Sequence, residues 1–310
     1  LRAISMKVLV TGIAGFIGST LAKSLIGIGY EVVGIDDYST GFKKNVPKES
    51  IMIEGDISDS STINKLNKFS IDYIFHFAGQ SSGEISFENP VRDLEINTKS
   101  TLLLLDFAVK NRVKRFFYAS SMSVYGDNNE YVDEQCETNP RSFYGVGKLA
   151  SEKYLSIYSN SILKCTSLRL FNVYGDNQNL SNLKQGMISI YLSMALKNKE
   201  IIVKGSKDRF RDFIEINDVI SAILFLLSNS QDNNYEVYNI STNVKTNVEE
   251  VITLILKYLN SDIDVAYLGS TPGDQFGIFG DNNKIKNLGW RPTIQFNKGL
   301  KNLILKLKNE

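Results

Sequence analysis

The sequence predicts an α/β protein, a doubly wound parallel sheet with a smaller C-terminal α/β lobe. Three observations carry that prediction. Short apolar, β-branched runs without polar alternation recur between helical stretches as far as residue 230, the pattern of strands covered on both faces. The first run leads straight into a glycine turn, Gly12-Ile13-Ala14-Gly15-Phe16-Ile17-Gly18, which opens the first helix. After residue 171 the rhythm loosens, yet no linker, repeat or low-complexity tract sets the last third apart.

The elements follow in order. Residues 7–11 form the first strand. Residues 16–28 show helical spacing through Phe16, Ile17, Leu21, Leu25 and Ile28, and Gly29 closes that helix. Residues 31–35 make the second strand, before a polar stretch at 36–44. Further short strands are expected at 51–53, 73–77 and 116–119, each ending at small or polar residues. Between the last two lies a helix at 91–110 whose apolar face carries Leu94, Leu102, Leu105 and Ala108. A strand at 168–171 ends the regular alternation, and the polar, turn-rich segment 177–184 follows. Helices near 186–197, 216–228, 248–259 and 297–308 complete the chain. The main division is expected at residue 172, with 6–172 as the larger domain, rejoined by later segments, and 173–310 mainly as the smaller lobe.

Bulk composition removes several classes of function. The chain has 310 residues, 43% hydrophobic and 22% charged, with 35 Lys and Arg against 34 Asp and Glu. A balance so close to neutral offers no basic footprint for nucleic acid. No apolar run reaches the ~18–20 residues of a membrane span. A single histidine and two isolated cysteines, Cys136 and Cys165, supply no metal constellation. Two thiols in a chain of this size suit a reducing compartment, so a cytoplasmic protein is expected. Residues 1–5 are too short for a signal peptide and read as an added remnant, with the natural start expected at Met6.

The glycine turn makes a specific physical demand. Gly12 supplies the tight turn, Gly15 lets backbone approach a pyrophosphate, and Gly18 lets helix and strand pack closely. The diphosphate then meets unpaired N–H groups at the positive end of the helix dipole. Asp36 lies near the end of the second strand, where a carboxylate binds both adenosine ribose hydroxyls and repels a 2′-phosphate, which favours NAD over NADP. The alternative is that Asp36 and Asp37 simply cap a loop.

A second constellation is Tyr144-Gly-Val-Gly-Lys148. A spacing of four puts both side chains on one helix face. An ammonium there stabilises tyrosinate and lowers a phenol pKa that is ordinarily ~10, yielding a proton-transfer group near neutral pH. An exposed Tyr–Lys pair is the plain alternative. The pair gains specificity from Ser120-Ser121-Met122-Ser123 just after the strand near 115–119, because strand ends in such folds point at the cofactor crevice. A Ser121 hydroxyl there can hold the substrate oxygen that the tyrosine deprotonates.

Together the segments VTGIAGFIGS, GIDDYS, GDI, HFAG, SSMSVYG, YGVGK, RLFNVYG and RDFIEINDV resemble the extended short-chain dehydrogenase/reductase family, in its nucleotide-sugar epimerase/dehydratase branch. The resemblance spans nearly the whole chain. It implies a modified Rossmann domain that holds NAD, a C-terminal lobe that grips a nucleoside-diphosphate sugar, and a homodimer joined through the helices at 91–110 and 144–158. It also implies roles by position. Tyr144 becomes the catalytic base, Lys148 its partner and a contact to the nicotinamide ribose, and Ser121 the family's Ser/Thr. Phe16, Ile17, Asp56, Ile57, Phe77, Ala78, Gly79, Asn97 and Phe171 fall at cofactor positions, beside Gly12, Gly15, Gly18, Asp36 and Asp37. Ser82, Asn172, Arg211 and Asp274 fall at substrate positions, where the planar fork of an arginine suits a diphosphate. His76, before Phe77-Ala78-Gly79, becomes a core or loop-ordering residue.

Two departures shape the expected reaction. Dehydratases of this family carry an Asp-Glu pair where this chain has Met122 and Ser123, and neither of these moves a proton at neutral pH. Inversion at C4 of a UDP-hexose through a 4-keto sugar is therefore favoured over 4,6-dehydration. Many 4-epimerases have a phosphate-binding arginine where this chain has Thr271, which leaves Arg209 or Lys184 as candidate replacements. Reduction, dehydration or decarboxylation of a nucleotide sugar stays open as an alternative. So does a non-catalytic NAD-binding scaffold or sensor, since fold does not dictate function.

Overall fold

The computed structural model describes residues 6–126, 130–184, 186–197, 199–229, 233–269 and 275–309. The apolar first run becomes β1 (Lys7–Thr11), and the glycine turn delivers the chain into α1 (Phe16–Gly27). Then follow β2 (Glu31–Asp36), β3 (Ile51–Glu54), α2 (Ser60–Asn64), β4 (Tyr73–His76), α3 (Gly83–Glu88), α4 (Pro90–Leu94) and α5 (Ser100–Lys110). Next come β5 (Arg115–Ser121), the short β6 (Tyr131–Val132), α6 (Phe143–Tyr158), β7 (Lys164–Leu170) and β8 (Asn172–Tyr174). The later chain forms α7 (Met187–Leu196), β9 (Ile201–Lys204), β10 (Phe210–Arg211), β11 (Phe213–Glu215), α8 (Ile216–Ser228) and β12 (Tyr235–Ile240). It ends with β13 (Thr246–Asn247), α9 (Val248–Leu259), β14 (Val265–Leu268), β15 (Gly277–Gly280), α10 (Asn283–Leu288) and α11 (Phe296–Asn309).

Seven strands form one parallel sheet in the order β12-β7-β5-β4-β1-β2-β3. The two-residue period of β1 explains why it lies inside. Val8 and Val10 enter the core on one face, with Leu21 and Leu25 of α1 and Val219 and Ile223 of α8. Leu9 enters the core on the other, with Leu104 and Leu105 of α5 and Leu155 of α6. A third cluster, built on Leu192, Phe213, Val251, Ile255 and Leu300, holds α7, α9 and α11 together. β12 comes from late in the chain, yet pairs with β7 at the sheet's edge.

The order reverses direction at β1, which pairs with β2 on one side and β4 on the other. Such a switch point opens a crevice beyond the carboxyl ends of the strands. The helix expected at 91–110 is interrupted there. Residues Glu95–Lys99 form a π turn between α4 and α5. A π turn spreads one extra residue over the helix, and Leu94, expected on one apolar face with Leu105 and Ala108, is 57% exposed while those two are buried.

Candidate active site

A cleft of about 540 Å³ opens at the carboxyl ends of β1, β2, β4 and β5. Its floor is the glycine turn, since Gly12, Gly15, Phe16, Ile17 and Gly18 all line it. Gly12 holds φ +70, and a Cβ there would lie 2.8 Å from the Ala78 nitrogen. A Cβ on Gly18 would strike the Gly12 carbonyl oxygen. Glycine at both points lets α1 begin directly against the cleft. No side chain caps that helix start, so its first N–H groups are left for an anion.

Asp36 ends β2 and also lines the cleft. It is 9% exposed, and burial raises its pKa above the usual carboxylate range while N–H groups of Tyr38 and Ala14 pull the other way. Oδ1 accepts from Tyr38 N at 2.8 Å and Oδ2 from Ala14 N at 2.8 Å, so each oxygen keeps a lone pair for a further donor. Asp37 is exposed and closes a turn by accepting from Ser39. Asp56 and Ile57 follow β3 on the same wall. Burial opposes ionisation of Asp56, but the Ser58 hydroxyl and N–H, with Arg92 Nη2 at 2.6 Å, hold it below the usual carboxylate value.

Phe77, Ala78 and Gly79 leave β4 along the cleft. They are steadied from beneath, because Thr11 Oγ1 accepts from Ala78 N at 3.1 Å and lies 2.7 Å from His76 Nδ1. His76 Nε2 lies 3.2 Å from Thr101 Oγ1, and burial, with the Lys148 charge, drives the imidazole pKa down to about 3. The imidazole is therefore a neutral strut between β1, β4 and α5.

Tyr144 and Lys148 sit one turn apart on α6, whose start is capped by Ser142 Oγ. They are 8% and 5% exposed, and both line the cleft with Ser121, the last residue of β5. Lys148 Nζ donates to Ala119 O at 2.9 Å and stands 5.6 Å from the Tyr144 ring centre. Burial lowers the Lys148 pKa to about 8, against the Asp93 charge. Burial pushes the Tyr144 phenol up to about 12, opposed by a hydrogen bond with Ser121 and reinforced by Asp93. Burial, rather than Lys148, dominates the phenol in this arrangement. Burial acts on both groups, and the ammonium is turned to a backbone carbonyl.

The remaining expected residues divide. Phe171 and Asn172 line the cleft, with Asn172 Nδ2 donating to Asp212 O at 3.2 Å. Asn97 lies just behind the wall, 1% exposed in the π turn, and a Cβ on Gly79 would come 2.7 Å from its Oδ1. Ser82 is buried and caps α3 through its hydroxyl, away from the lining. Arg211 is 3% exposed, and its guanidinium donates to the carbonyls of Phe210, Gln275 and Phe276, so it is not brought to the cleft wall. Asp274 and Thr271 lie outside the described residues. Of the two candidate replacements for Thr271, Lys184 pairs with Glu88 at 2.5 Å and Arg209 donates to the Lys204 carbonyl.

Three cleft features escape sequence reasoning. Arg92 pairs with Asp56 across 36 residues, and Gln80 reaches Asp93 Oδ1 at 2.8 Å. The third is the placement of α7: the sequence predicts a helix near 186–197 but not its position, and Gly186, at φ +80, leads Met187 and Ile188 onto the lining with no side-chain cap. Among the described residues no cluster of His, Cys, Asp and Glu is placed to hold a metal, and no helix is long and apolar enough to cross a membrane.

The model of the NAD dependent epimerase/dehydratase family matches residues 8–241. A putative UDP-glucose 4-epimerase of Methanocaldococcus jannaschii is 34% identical over 305 residues, covering 97% of this chain and 98% of that protein. The crystal structure of the Thermotoga maritima UDP-glucose 4-epimerase with UDP-glucose superposes with a TM-score of 0.93 at 32% identity, over 98% of this chain and 99% of that one. The Thermus thermophilus UDP-glucose 4-epimerase in complex with NAD gives 0.92 at 30% identity, with the same coverage of each chain.

Proposed function

This chain belongs to the NAD dependent epimerase/dehydratase family, and on that premise we propose that it inverts C4 of a UDP-hexose through a transient 4-keto sugar. One observation carries the reading. Two helices, α1 and α7, bring uncapped N-termini to the cleft that also holds Ser121, Tyr144 and Lys148. Two such termini suit two diphosphates, one in a dinucleotide and one in a nucleotide sugar. Relatives of this fold hold NAD in one case and UDP-glucose in another.

NAD would lie with its diphosphate on the first turn of α1 and its adenosine ribose on Asp36, with Phe77, Ala78, Gly79 and Lys148 toward the nicotinamide end. Bound there, it supplies the acceptor for the C4 hydrogen and its return, together with a cationic ring. The proton belongs to the chain's own residues. Tyr144 Oη takes it from the sugar O4 as C4 is oxidised, and gives it back once the keto sugar has presented its other face. Ser121 Oγ holds O4 in reach, and the Lys148 ammonium would stabilise tyrosinate once turned from the Ala119 carbonyl toward the phenol oxygen. Asn172 and the start of α7 would receive the sugar diphosphate. Met122 and Ser123 stand on the lining where elimination of water would need a carboxylate pair, which favours epimerisation over dehydration.

The reading includes a homodimer in the cytoplasm. α4 and α6 expose Val91 at 69%, Leu94 at 57%, Val146 at 53% and Ile157 at 75%, an apolar surface that a second copy would cover. Both cysteines are free, as suits a reducing compartment.

The test is incubation with UDP-glucose, UDP-N-acetylglucosamine and their uronic acid forms, without added NAD, followed by proton NMR. C4 inversion of at least one is expected. No inversion of any UDP-sugar overturns the assignment, and stoichiometric consumption of added NADH would mark a reductase instead.

A further inference from the structure

One buried carboxylate beside the cleft has no part in the reaction as drawn. Asp93, on α4, is 2% exposed. Its Oδ1 accepts from Gln80 Nε2 at 2.8 Å and Asn97 Nδ2 at 3.1 Å, while its buried Oδ2 has no hydrogen-bond partner among the described residues. Arg92, next to it in sequence, turns away to Asp56 and Glu95. A carboxylate so placed is costly unless an opposite charge faces it.

The surrounding geometry leads to Lys148. A Cβ on Gly147 of α6 would lie 3.6 Å from Asp93 Oδ2. A Cβ on Gly79 would lie 2.7 Å from Asn97 Oδ1 and 3.3 Å from Lys148 Nζ. Asn97 donates to both Gln80 O and Asp93 Oδ1, so its unpartnered Oδ1 is directed at the Gly79 end of the cleft. Asp93 and Asn97 thus pack directly behind Gly79 and Lys148, which are on the lining. We infer that Asp93 is a positioning residue, the buried counter-charge that keeps Lys148 protonated and Asn97 turned toward Gly79.

The other groups around Lys148 do not supply that charge. Tyr144 precedes it on α6, the Tyr118 ring of β5 lies 4.9 Å from Nζ, and neutral His76 faces it from β4. Glu152, one turn further along α6, is engaged by Arg169 at 2.8 Å. Burial drives Lys148 toward neutrality and Asp93 opposes that drive. The inference rests on the reading of Lys148 as the partner of Tyr144.

Titration of the lysine Cε resonances in [13C]lysine-labelled protein tests it, with the Lys148 signal assigned by its loss in Lys148→Met. The wild-type midpoint is expected near 8. In Asp93→Asn, which keeps the shape and removes the charge, it should fall by about one pH unit or more. Asp93→Ser serves the same purpose should the amide not fold, and thermal melting confirms the fold of either. An unchanged midpoint in a folded variant overturns the inference, whatever happens to turnover. Failure of the wild-type protein to epimerise any UDP-sugar would overturn the proposed reaction and leave this titration to decide Asp93 separately. In an active enzyme, the alkaline limb of kcat/KM should move down by the same interval as the lysine midpoint, and a limb that stays put also counts against it.

Discussion

Asp36 Oδ2 accepts the Ala14 N–H at 2.8 Å, so the carboxylate expected to read the adenosine ribose is tied to the glycine turn expected to hold the diphosphate. The two halves of the cofactor site cannot move independently. Asp36→Asn removes the charge and weakens that tie. Charge-assisted hydrogen bonds of this kind contribute ~1.5–3 kcal/mol, so NAD affinity should fall about tenfold or more, with a relative gain for NADP. Calorimetric titration of both dinucleotides into cofactor-stripped protein measures this, and equal affinities before and after would refute the role.

Tyr144→Phe deletes one oxygen from a buried ring that is otherwise packed within the wall of the cleft. The expected loss in kcat is about 10²–10⁴-fold, the usual size of a general acid–base contribution. Cofactor content and melting temperature should match the wild type. A scaffold protein would show no turnover in either form, and retained turnover in the variant would remove Tyr144 from the chemistry.

His76 is the single histidine of the chain, so its proton NMR signals need no assignment. Its folded pKa of about 3 lies below the ordinary ~6.5 of an unfolded chain. As pH falls through 6.5 the unfolded chain takes up a proton that the folded one refuses. Stability present above pH 6.5 is therefore lost toward pH 3, at up to about 1.4 kcal/mol per pH unit. The Hε1 shift should stay constant from pH 8 to 4. The stability of wild type relative to His76→Gln should shrink by about 2 kcal/mol between pH 7 and 5, measured by urea unfolding. A midpoint near 6 in the NMR titration would contradict the buried neutral strut.

The apolar surface on α4 and α6 predicts the oligomeric state. Leu94→Glu combined with Ile157→Glu places two charges on side chains that are 57% and 75% exposed. Neither contributes to a core within the chain, so the fold should persist while a dimer gives way to monomers in light scattering. A wild-type protein that is already monomeric would end the dimer proposal.

The parts legible in the sequence are those fixed by local physics. Strands covered on both faces read as apolar runs, and Gly12, Asp36, Ser121, Tyr144 and Lys148 each announce themselves by a spacing that one turn or one strand imposes. What stayed hidden depends on distant partners. Nothing local marks Arg92 as the mate of Asp56, or Asp93 as a neighbour of Lys148 across 55 residues of sequence. The two-residue strands β6, β10 and β13 are made by their pairings and carry no periodic signal. Nor does any local spacing mark the carbonyls of Gln275 and Phe276 as partners of the Arg211 guanidinium.

The π turn at Glu95–Lys99 sets the phase of everything before it. Each α-helical residue advances about 100° around the axis, so deleting one residue there would restore a regular ladder and roll the preceding turn by that angle. Asp93 would leave the interior, and the solvent-facing Val91 and Leu94 would no longer point outward together. One helix thereby meets two different surroundings, the cleft wall and the outer surface, and its length between Pro90 and Ser100 cannot drift. A single-residue deletion in this segment should be more damaging than most substitutions in it, a constraint on insertion and deletion rather than on side-chain identity.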